Sequence, residues 1–338
     1  MFPSLRTTSP LIFLAFILVV LPIVEAQTSI DDVHVNPRLI APHIAAIEAT
    51  APADVSLVAR SVIRASVDLV MVPVTITDGL NRPVVGLDRQ NFQLFENKKQ
   101  QQIKHFSSED TPVSVGIIVD TSGSMAQKLD RAREAVQQFC ETANPQDEFF
   151  MITFADSPQL ASDFTTRVEE IENDLLTVRS KGRTSLLDAI YMGLRKMRSA
   201  RYSRKALLIL SDGGDNHSRY TEHDVKAAVK EADVLIYAVG TYDRYVNTEE
   251  ELLGPELLRT LTEVTGGQAF TLPSINDMPT VTRAIGTQLR HQYMLAYQPQ
   301  FKPRDGKWHK ISVRLRLPNK LHHYLRVDAR TGYYGGAQ

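Results

Sequence analysis

The chain has almost no cysteine and almost no net charge. Its 338 residues include one cysteine, Cys140, and 38 basic against 39 acidic side chains, a formal charge of −1. A single cysteine excludes an intramolecular disulfide framework and any zinc or iron–sulfur site built from cysteine thiolates. A near-neutral chain also disfavours nucleic acid as a partner, because that affinity depends on neutralising phosphate charge. Cys140 follows Phe139 on an apolar helical stripe, so we expect it to be a buried small hydrophobe.

The apolar run near the N-terminus is shorter than a membrane span. Leu11–Val24 has 14 residues, whereas a transmembrane helix needs about 20. Its length, the preceding Arg6 and the small residues near Ala26 predict a signal peptide over residues 1–26, cleaved near Ala26. Export to the periplasm, the cell surface or the medium is the expected consequence, with an uncleaved N-terminal anchor as the alternative. Residues 27–65 show no sustained periodicity and predict a linker or loosely ordered arm.

Apolar and polar residues alternate at both ends of the remaining chain. The stretches Val70–Ile76 and Ile311–Leu317 show the period of two that is typical of a strand buried on one face. They predict an N-terminal β segment over residues 66–110 and a C-terminal β segment over residues 290–338. Half-buried strands need partners, so we expect the two segments to pair in an antiparallel sheet or sandwich.

Residues 111–289 show a different pattern. Near-continuous apolar runs, typical of strands covered on both faces, alternate with amphipathic helical patterns. The runs are Val113–Val119, Phe149–Phe154, Ala206–Leu210 and Val234–Val239. This alternation predicts an α/β fold with a doubly wound, mostly parallel sheet and helices on both faces, flanked by the antiparallel β module.

Hydroxyl and carboxylate side chains follow the predicted strands. Asp120, Ser122 and Ser124 come directly after the first central strand, Asp212 follows the third, and Thr184 precedes a predicted helix. In open α/β sheets, ligands bind beyond the carboxyl ends of the strands. We therefore expect these oxygens to converge at one edge of the sheet.

Oxygen donors of this kind suit a hard divalent cation. Mg²⁺ prefers octahedral oxygen ligands and keeps several waters, and Gly123 allows the chain to turn tightly between the two serines. With neutral hydroxyls as direct ligands and carboxylates acting mainly through water, the cation would keep an affinity for one more anionic oxygen. A carboxylate of a protein partner is the expected occupant; Mn²⁺ or Ca²⁺ are alternative ions.

The five positions resemble the metal ion-dependent adhesion site of von Willebrand factor type A domains. The D-x-S-x-S motif matches Asp120, Ser122 and Ser124, and the remaining positions match Thr184 and Asp212. Over residues 111–289 the resemblance implies a Rossmann-like fold and a non-catalytic, metal-dependent adhesion module. Together with the β flanks, the chain resembles exported proteins of this type that are prominent in Acidobacteria.

Other interpretations of the same residues remain open. Asp120 and Ser124 could simply cap a helix start, and Asp120-Thr121-Ser122-Gly123 also resembles an aspartic protease loop, which would require a second such loop and an all-β fold. Asp188 and Asp215 are candidates to support the metal-binding residues without contacting the metal themselves, with a solvated or salt-bridged role as the alternative.

The near-zero net charge is the sum of an acidic part and a basic part of the chain. From His291 onward there are nine basic and two acidic residues, a surplus of +7, which leaves 29 basic and 37 acidic residues, or −8, before it. The basic C-terminal segment suggests a contact with an anionic envelope surface. A structural or assembly role in the cell envelope, with contacts through the β flanks, is therefore the alternative function.

Overall fold

The computed structural model describes residues 69–211, 214–241, 249–299, 305–317 and 324–335. The predicted signal peptide and linker, residues 1–65, lie outside the described residues, as does Asp212. In the described part, no helix has the length and hydropathy needed to cross a membrane.

A six-stranded sheet lies at the centre of the described chain, in the order β10-β9-β8-β5-β6-β7. All neighbours pair in parallel except β6 and β7, which are antiparallel. The strands are β5 (Ser114–Asp120), β6 (Glu148–Phe154), β7 (Pro158–Thr165), β8 (Lys205–Ser211), β9 (Leu235–Thr241) and β10 (Ala269–Leu272). The predicted mostly parallel sheet is confirmed. Its inner strands are apolar on both faces because helices cover both.

In the described part of the chain, six α-helices are divided between the two faces of this sheet. They are α1 (Leu129–Cys140), α2 (Val168–Thr177), α3 (Leu186–Lys196), α4 (Glu222–Glu231), α5 (Glu249–Thr265) and α6 (Met278–Arg290). Val136 of α1, Leu175 of α2 and Ile285 of α6 share one buried core. Ile190 of α3 and Val225 of α4 belong to the core on the opposite face, which also includes residues of α5. The sheet is therefore doubly wound, as predicted.

The remaining strands form the antiparallel module predicted from the chain ends. They are β1 (Val70–Thr77), β2 (Phe92–Glu96), β3 (Lys99–Gln101), β4 (Ile103–Ser107), β11 (Tyr293–Tyr297), β12 (Trp308–Leu315), β13 (Arg326–Ala329) and β14 (Gly332–Tyr334). Two four-stranded sheets result, in the orders β13-β1-β11-β4 and β14-β12-β2-β3. Val74, Leu94, Leu295 and Ile311 share one core, so the module is a sandwich, and each sheet contains strands from both ends of the chain.

The sandwich packs against the amino ends of the central strands. Gln292, which follows α6, donates from Nε2 to the Thr75 hydroxyl of β1 at 3.1 Å. The Arg330 guanidinium pairs with Asp233, just before β9, at 2.7 Å. The carboxyl ends of the central strands, where a ligand site is expected, lie at the other end of the sheet and face away from this contact.

Candidate functional site

Asp120 lies at the carboxyl end of β5 and is fully buried. Its Oδ1 accepts a hydrogen bond from the Ser122 backbone N–H at 2.8 Å, and its Oδ2 accepts one from the Ser211 hydroxyl at 2.6 Å. Ser211 is the last residue of the neighbouring strand β8. The carboxylate is thus oriented by the loop that follows β5 and by the end of β8.

The two serines of the first loop bring their hydroxyl oxygens together. Ser122 Oγ and Ser124 Oγ lie 3.0 Å apart. Ser122 is buried while Ser124, in the short 3-10 turn Gly123–Gln127, is exposed, so this pair of oxygens extends from the buried edge of the sheet towards solvent. At this distance one hydroxyl donates a hydrogen bond to the other. Hydroxyl oxygens beside a carboxylate have the chemistry that a hard divalent cation accepts.

A second loop is joined to the first by backbone hydrogen bonds. The Gly123 N–H donates to the Gly182 carbonyl at 3.0 Å, and the Lys181 N–H donates to the Thr121 carbonyl at 2.8 Å. Gly182 has φ +91°, where a side chain would be strained. A Cβ there would also lie 2.6 Å from a carboxylate oxygen of Asp156. Only glycine fits this close approach.

Asp156 is a site residue that the sequence motifs do not identify. Its Oδ1 accepts from the Arg183 backbone N–H at 2.9 Å and thereby orders the loop ahead of Thr184. The available signal was positional: Asp156 comes two residues after the end of β6, at the same edge of the sheet as Asp120.

Thr184 is buried and held by a third loop. Its backbone N–H donates to Asn216 Oδ1 at 3.0 Å, and its carbonyl accepts from the backbone N–H groups of Asn216 and His217 at 3.0 and 3.1 Å. Asn216 was also missed by sequence reasoning, because an asparagine in a loop has no distinctive pattern. Its contacts place the loop that follows β8 directly beside Thr184.

Asp188 and Asp215 support the same loop through hydrogen bonds. Oδ1 of Asp188 accepts from the backbone N–H groups of Arg219 and Tyr220 at 2.8 and 3.0 Å. Oδ1 of Asp215 accepts from the Leu187 N–H at 3.2 Å and from the Ser218 hydroxyl. Asp188 is buried and Asp215 half-buried, so neither is a solvated surface charge.

Asp212 comes immediately after Ser211 in the sequence and lies outside the described residues. Among the described residues, no group of three or more His, Cys, Asp or Glu side chains could hold a metal ion. A cation at this edge would depend on serine and threonine hydroxyls supplemented by Asp120 and Asp212.

The fold and this loop arrangement define a doubly wound α/β domain with a hydroxyl-rich ligand edge. Residues 115–214 match the family model of the von Willebrand factor type A domain. The chain therefore contains a von Willebrand factor type A domain. Such domains generally serve in protein–protein adhesion or interaction and are generally non-enzymatic.

Two curated relatives share part of the sequence. The chain is 24% identical over 135 residues to inter-alpha-trypsin inhibitor heavy chain H4 of Homo sapiens, a match that covers 35% of this chain and 14% of the relative. The protein of the same name from Bos taurus is 25% identical over 146 residues, covering 37% of this chain and 16% of the relative. The chain thus spans only about a seventh of the length of these relatives.

Solved structures with weak overall similarity include two proteins described by the same domain name. One is a von Willebrand factor type A protein from Catenulispora acidiphila, with 12% identity and a TM-score of 0.47, covering 80% of this chain and 74% of that one. The other is the vWF domain of the type V pili tip protein Mfa5 from Porphyromonas gingivalis, with 11% identity and a TM-score of 0.43, covering 53% and 95%.

Proposed function

We propose that this chain is an exported, non-catalytic binding protein whose type A domain holds Mg²⁺ and captures an acidic side chain of a protein partner. The observation that supports it most directly is that the adjacent hydroxyls of Ser122 and Ser124 lie in the loop that follows the buried carboxylate of Asp120. Ser122, Ser124 and Thr184 would be direct ligands. Asp120 and Asp212 would act through water or directly.

The chemistry of these oxygens favours a hard divalent cation. Serine and threonine hydroxyls and carboxylates are ligands that Mg²⁺ accepts, and Mn²⁺ or Ca²⁺ are alternative ions. Such an ion would supply a positive site for a carboxylate oxygen, and neutral hydroxyl ligands would leave its charge only partly compensated.

The fold supports a non-catalytic role for Asp120. An aspartic protease site needs two carboxylates that share a proton, in an all-β fold. Here Asp120 is the last residue of β5 in a mostly parallel sheet with helices on both faces, and its two oxygens accept hydrogen bonds from Ser122 and Ser211. The export part of the proposal depends on residues 1–26 alone, and N-terminal sequencing of the mature protein would test it.

A contact with an anionic envelope surface is supported by a separate observation on the sandwich. Lys310, Arg314 and Arg316 are exposed along and just beyond β12. The Arg314 guanidinium packs over the Phe95 ring, 5.0 Å from its centroid, and so stays extended across the sheet. This surface would suit an assembly role in which the β flanks make the contacts independently of metal.

Calorimetric titration of Mg²⁺ into chelator-treated protein tests the main proposal. Ser124→Ala removes one exposed hydroxyl and should lower Mg²⁺ affinity by about tenfold or more without lowering stability. Ser312→Ala, which removes a hydroxyl from β12, is the matched control and should bind like the unmodified protein. The metal site would be refuted if the unmodified protein bound no Mg²⁺. It would also be refuted if Ser124→Ala and Asp120→Ala bound Mg²⁺ as tightly as the unmodified protein does.

Partner capture separates the two functions. A partner retained in Mg²⁺, eluted by chelator and identified by mass spectrometry should be lost in Ser124→Ala and kept in Ser312→Ala. If the partner is retained equally with and without chelator, and also by Ser124→Ala, the result supports contacts through the β flanks instead.

A further inference from the structure

A cavity of about 80 Å³ lies between the type A domain and the sandwich. It is bordered by the amino ends of central strands, including Lys205 of β8 and Leu235 of β9. The candidate metal site lies at the carboxyl ends of the same strands, so the two sites are separated by the length of the sheet. Ligand pockets occur preferentially at such junctions between domains.

The walls of this cavity are mainly apolar and come from both modules. The type A domain contributes Val234 and Val264, and the sandwich contributes Met71, Met294 and Trp308. Met71 remains 37% exposed although it lines the cavity, so the cavity opens to solvent beside it. Unbranched methionine side chains adapt readily to a guest.

The charged groups around the cavity are mostly cationic. Four basic side chains and one carboxylate line it: Arg204, Lys205, Lys230, Arg330 and Asp233. Three of the cations already have protein partners. Arg330 pairs with Asp233 at 2.7 Å, the Lys205 ammonium donates to the Met197 carbonyl at 3.0 Å, and Arg204 donates to the carbonyls of Thr111 and Leu289.

Lys230 is the exception among these cations. It is half-buried on α4, and its Nζ lies 5.8 Å from the centroid of the Trp308 ring. Within the described chain it forms neither an ion pair nor a hydrogen bond with any carboxylate. A partly desolvated ammonium over an aromatic ring, beside an apolar cavity, is complementary to an anion that carries an apolar group.

We propose that this cavity binds a small amphipathic carboxylate, with its apolar group among Met71, Met294 and Val264 and its carboxylate at Lys230. The size of the cavity limits the enclosed part of the ligand. One water needs about 10–15 Å³ of such space, so 80 Å³ holds a short acyl or branched group and not a long chain. A longer chain would extend through the opening beside Met71.

The fluorescence of Trp308 provides a direct test, because Trp308 is the only tryptophan in the chain. The full-length protein is titrated with butyrate, hexanoate and octanoate, and in parallel with the matching alcohols. Chelator is present throughout, so that a metal-bound carboxylate at the Asp120 site cannot contribute. We expect a saturable change in emission, with affinity rising about fourfold per added methylene until the enclosed space is filled.

Two substitutions on α4 test the role of the ammonium. Lys230→Met keeps the apolar stem and should weaken carboxylate binding by about tenfold or more while leaving alcohol binding unchanged. The control is Lys226→Met, one turn earlier on α4, where the ammonium pairs with Glu222 at 2.8 Å and does not line the cavity; it should bind like the unmodified protein.

Three outcomes would overturn the proposal: no saturable change with any carboxylate, equal affinity for carboxylates and alcohols, or unchanged affinity in Lys230→Met. Val264→Phe, which places a larger side chain in the cavity, gives a second test, since it should abolish binding. Because chelator is present, each result is independent of whether the proposed Mg²⁺ site exists.

Discussion

One oxygen of Asp188 holds two backbone amides of the loop beside the candidate metal site. Its Oδ1 accepts from Arg219 N at 2.8 Å and from Tyr220 N at 3.0 Å, whereas Oδ2 lies 3.6 Å from Nε of the Arg219 side chain. An asparagine in the same rotamer would keep an acceptor oxygen at the Oδ1 position. Comparing Asp188→Asn with Asp188→Ala therefore distinguishes the effect of losing the negative charge from the effect of losing the hydrogen-bond acceptor.

The contacts of Asp188 set the expected magnitudes. A hydrogen bond to a charged acceptor contributes about 1.5–3 kcal/mol, so Asp188→Ala, which loses both bonds, should lower the free energy of unfolding by about 3 kcal/mol. The Arg219 side chain is 86% exposed, so its ion pair contributes about 0–1 kcal/mol. Asp188→Asn loses that pair and keeps the amide bonds, and its cost should stay below about 1 kcal/mol.

Urea denaturation followed by circular dichroism measures this difference. With a slope of about 3 kcal/mol per molar urea, the midpoint should fall by about 1 M in Asp188→Ala and by less than about 0.3 M in Asp188→Asn. Mg²⁺ affinity measured by calorimetry should fall in Asp188→Ala and stay within about threefold in Asp188→Asn. If Asp188→Asn loses as much stability or affinity as Asp188→Ala, the negative charge matters more than the acceptor and the loop-holding role is wrong.

Two further substitutions or modifications test local features. Gly182→Ala should lower the free energy of unfolding by about 1–3 kcal/mol and weaken Mg²⁺ binding, because Gly182 has φ +91° and an added Cβ would meet the Asp156 carboxylate. The control is Gly79→Ala, where nothing lies within 4 Å of the added Cβ. An equal shift of the urea midpoint in both variants would contradict this explanation. Burial raises the pKa of the Cys140 thiol to about 12, so at pH 8 a disulfide reagent should label the folded protein about a thousandfold more slowly than the unfolded chain. Rapid labelling of the folded protein would show instead that the thiol is accessible. Because the folded-state pKa exceeds the unfolded value of about 8.5, the contribution of Cys140 to the free energy of unfolding is lost as pH rises above about 8.5.

The central fold was predictable because its signals are local. The apolar run Val113–Val119 begins and ends one residue before the observed strand β5, and the run Phe149–Phe154 lies within β6. A strand covered on both faces needs apolar side chains at every position, which produces a continuous run that is visible in the sequence. The helices between these strands were visible for a similar reason, since an amphipathic stripe has a period of its own.

The candidate site was only partly predictable. The loop after β5 was identified because Asp120, Ser122 and Ser124 are close together in the chain. Asp156 and Asn216 were missed because each acts on a backbone group far away in sequence, at Arg183 and Thr184 respectively. The metal identity, the partner carboxylate and export stay predictions.

By itself, the sequence determined four strands of the central sheet and their alternation with helices, the β-rich character of the two chain ends and the hydroxyl- and carboxylate-rich loop at Asp120, because each follows from local periodicity or from residues near one another in the chain. Only the tertiary structure decided that the chain ends form two sheets and that a cavity remains beside Trp308. It also decided that the backbone N–H and carbonyl of Thr184 both form hydrogen bonds with one loop. These features arise from contacts between residues distant in sequence, whose geometry is set by how whole elements pack.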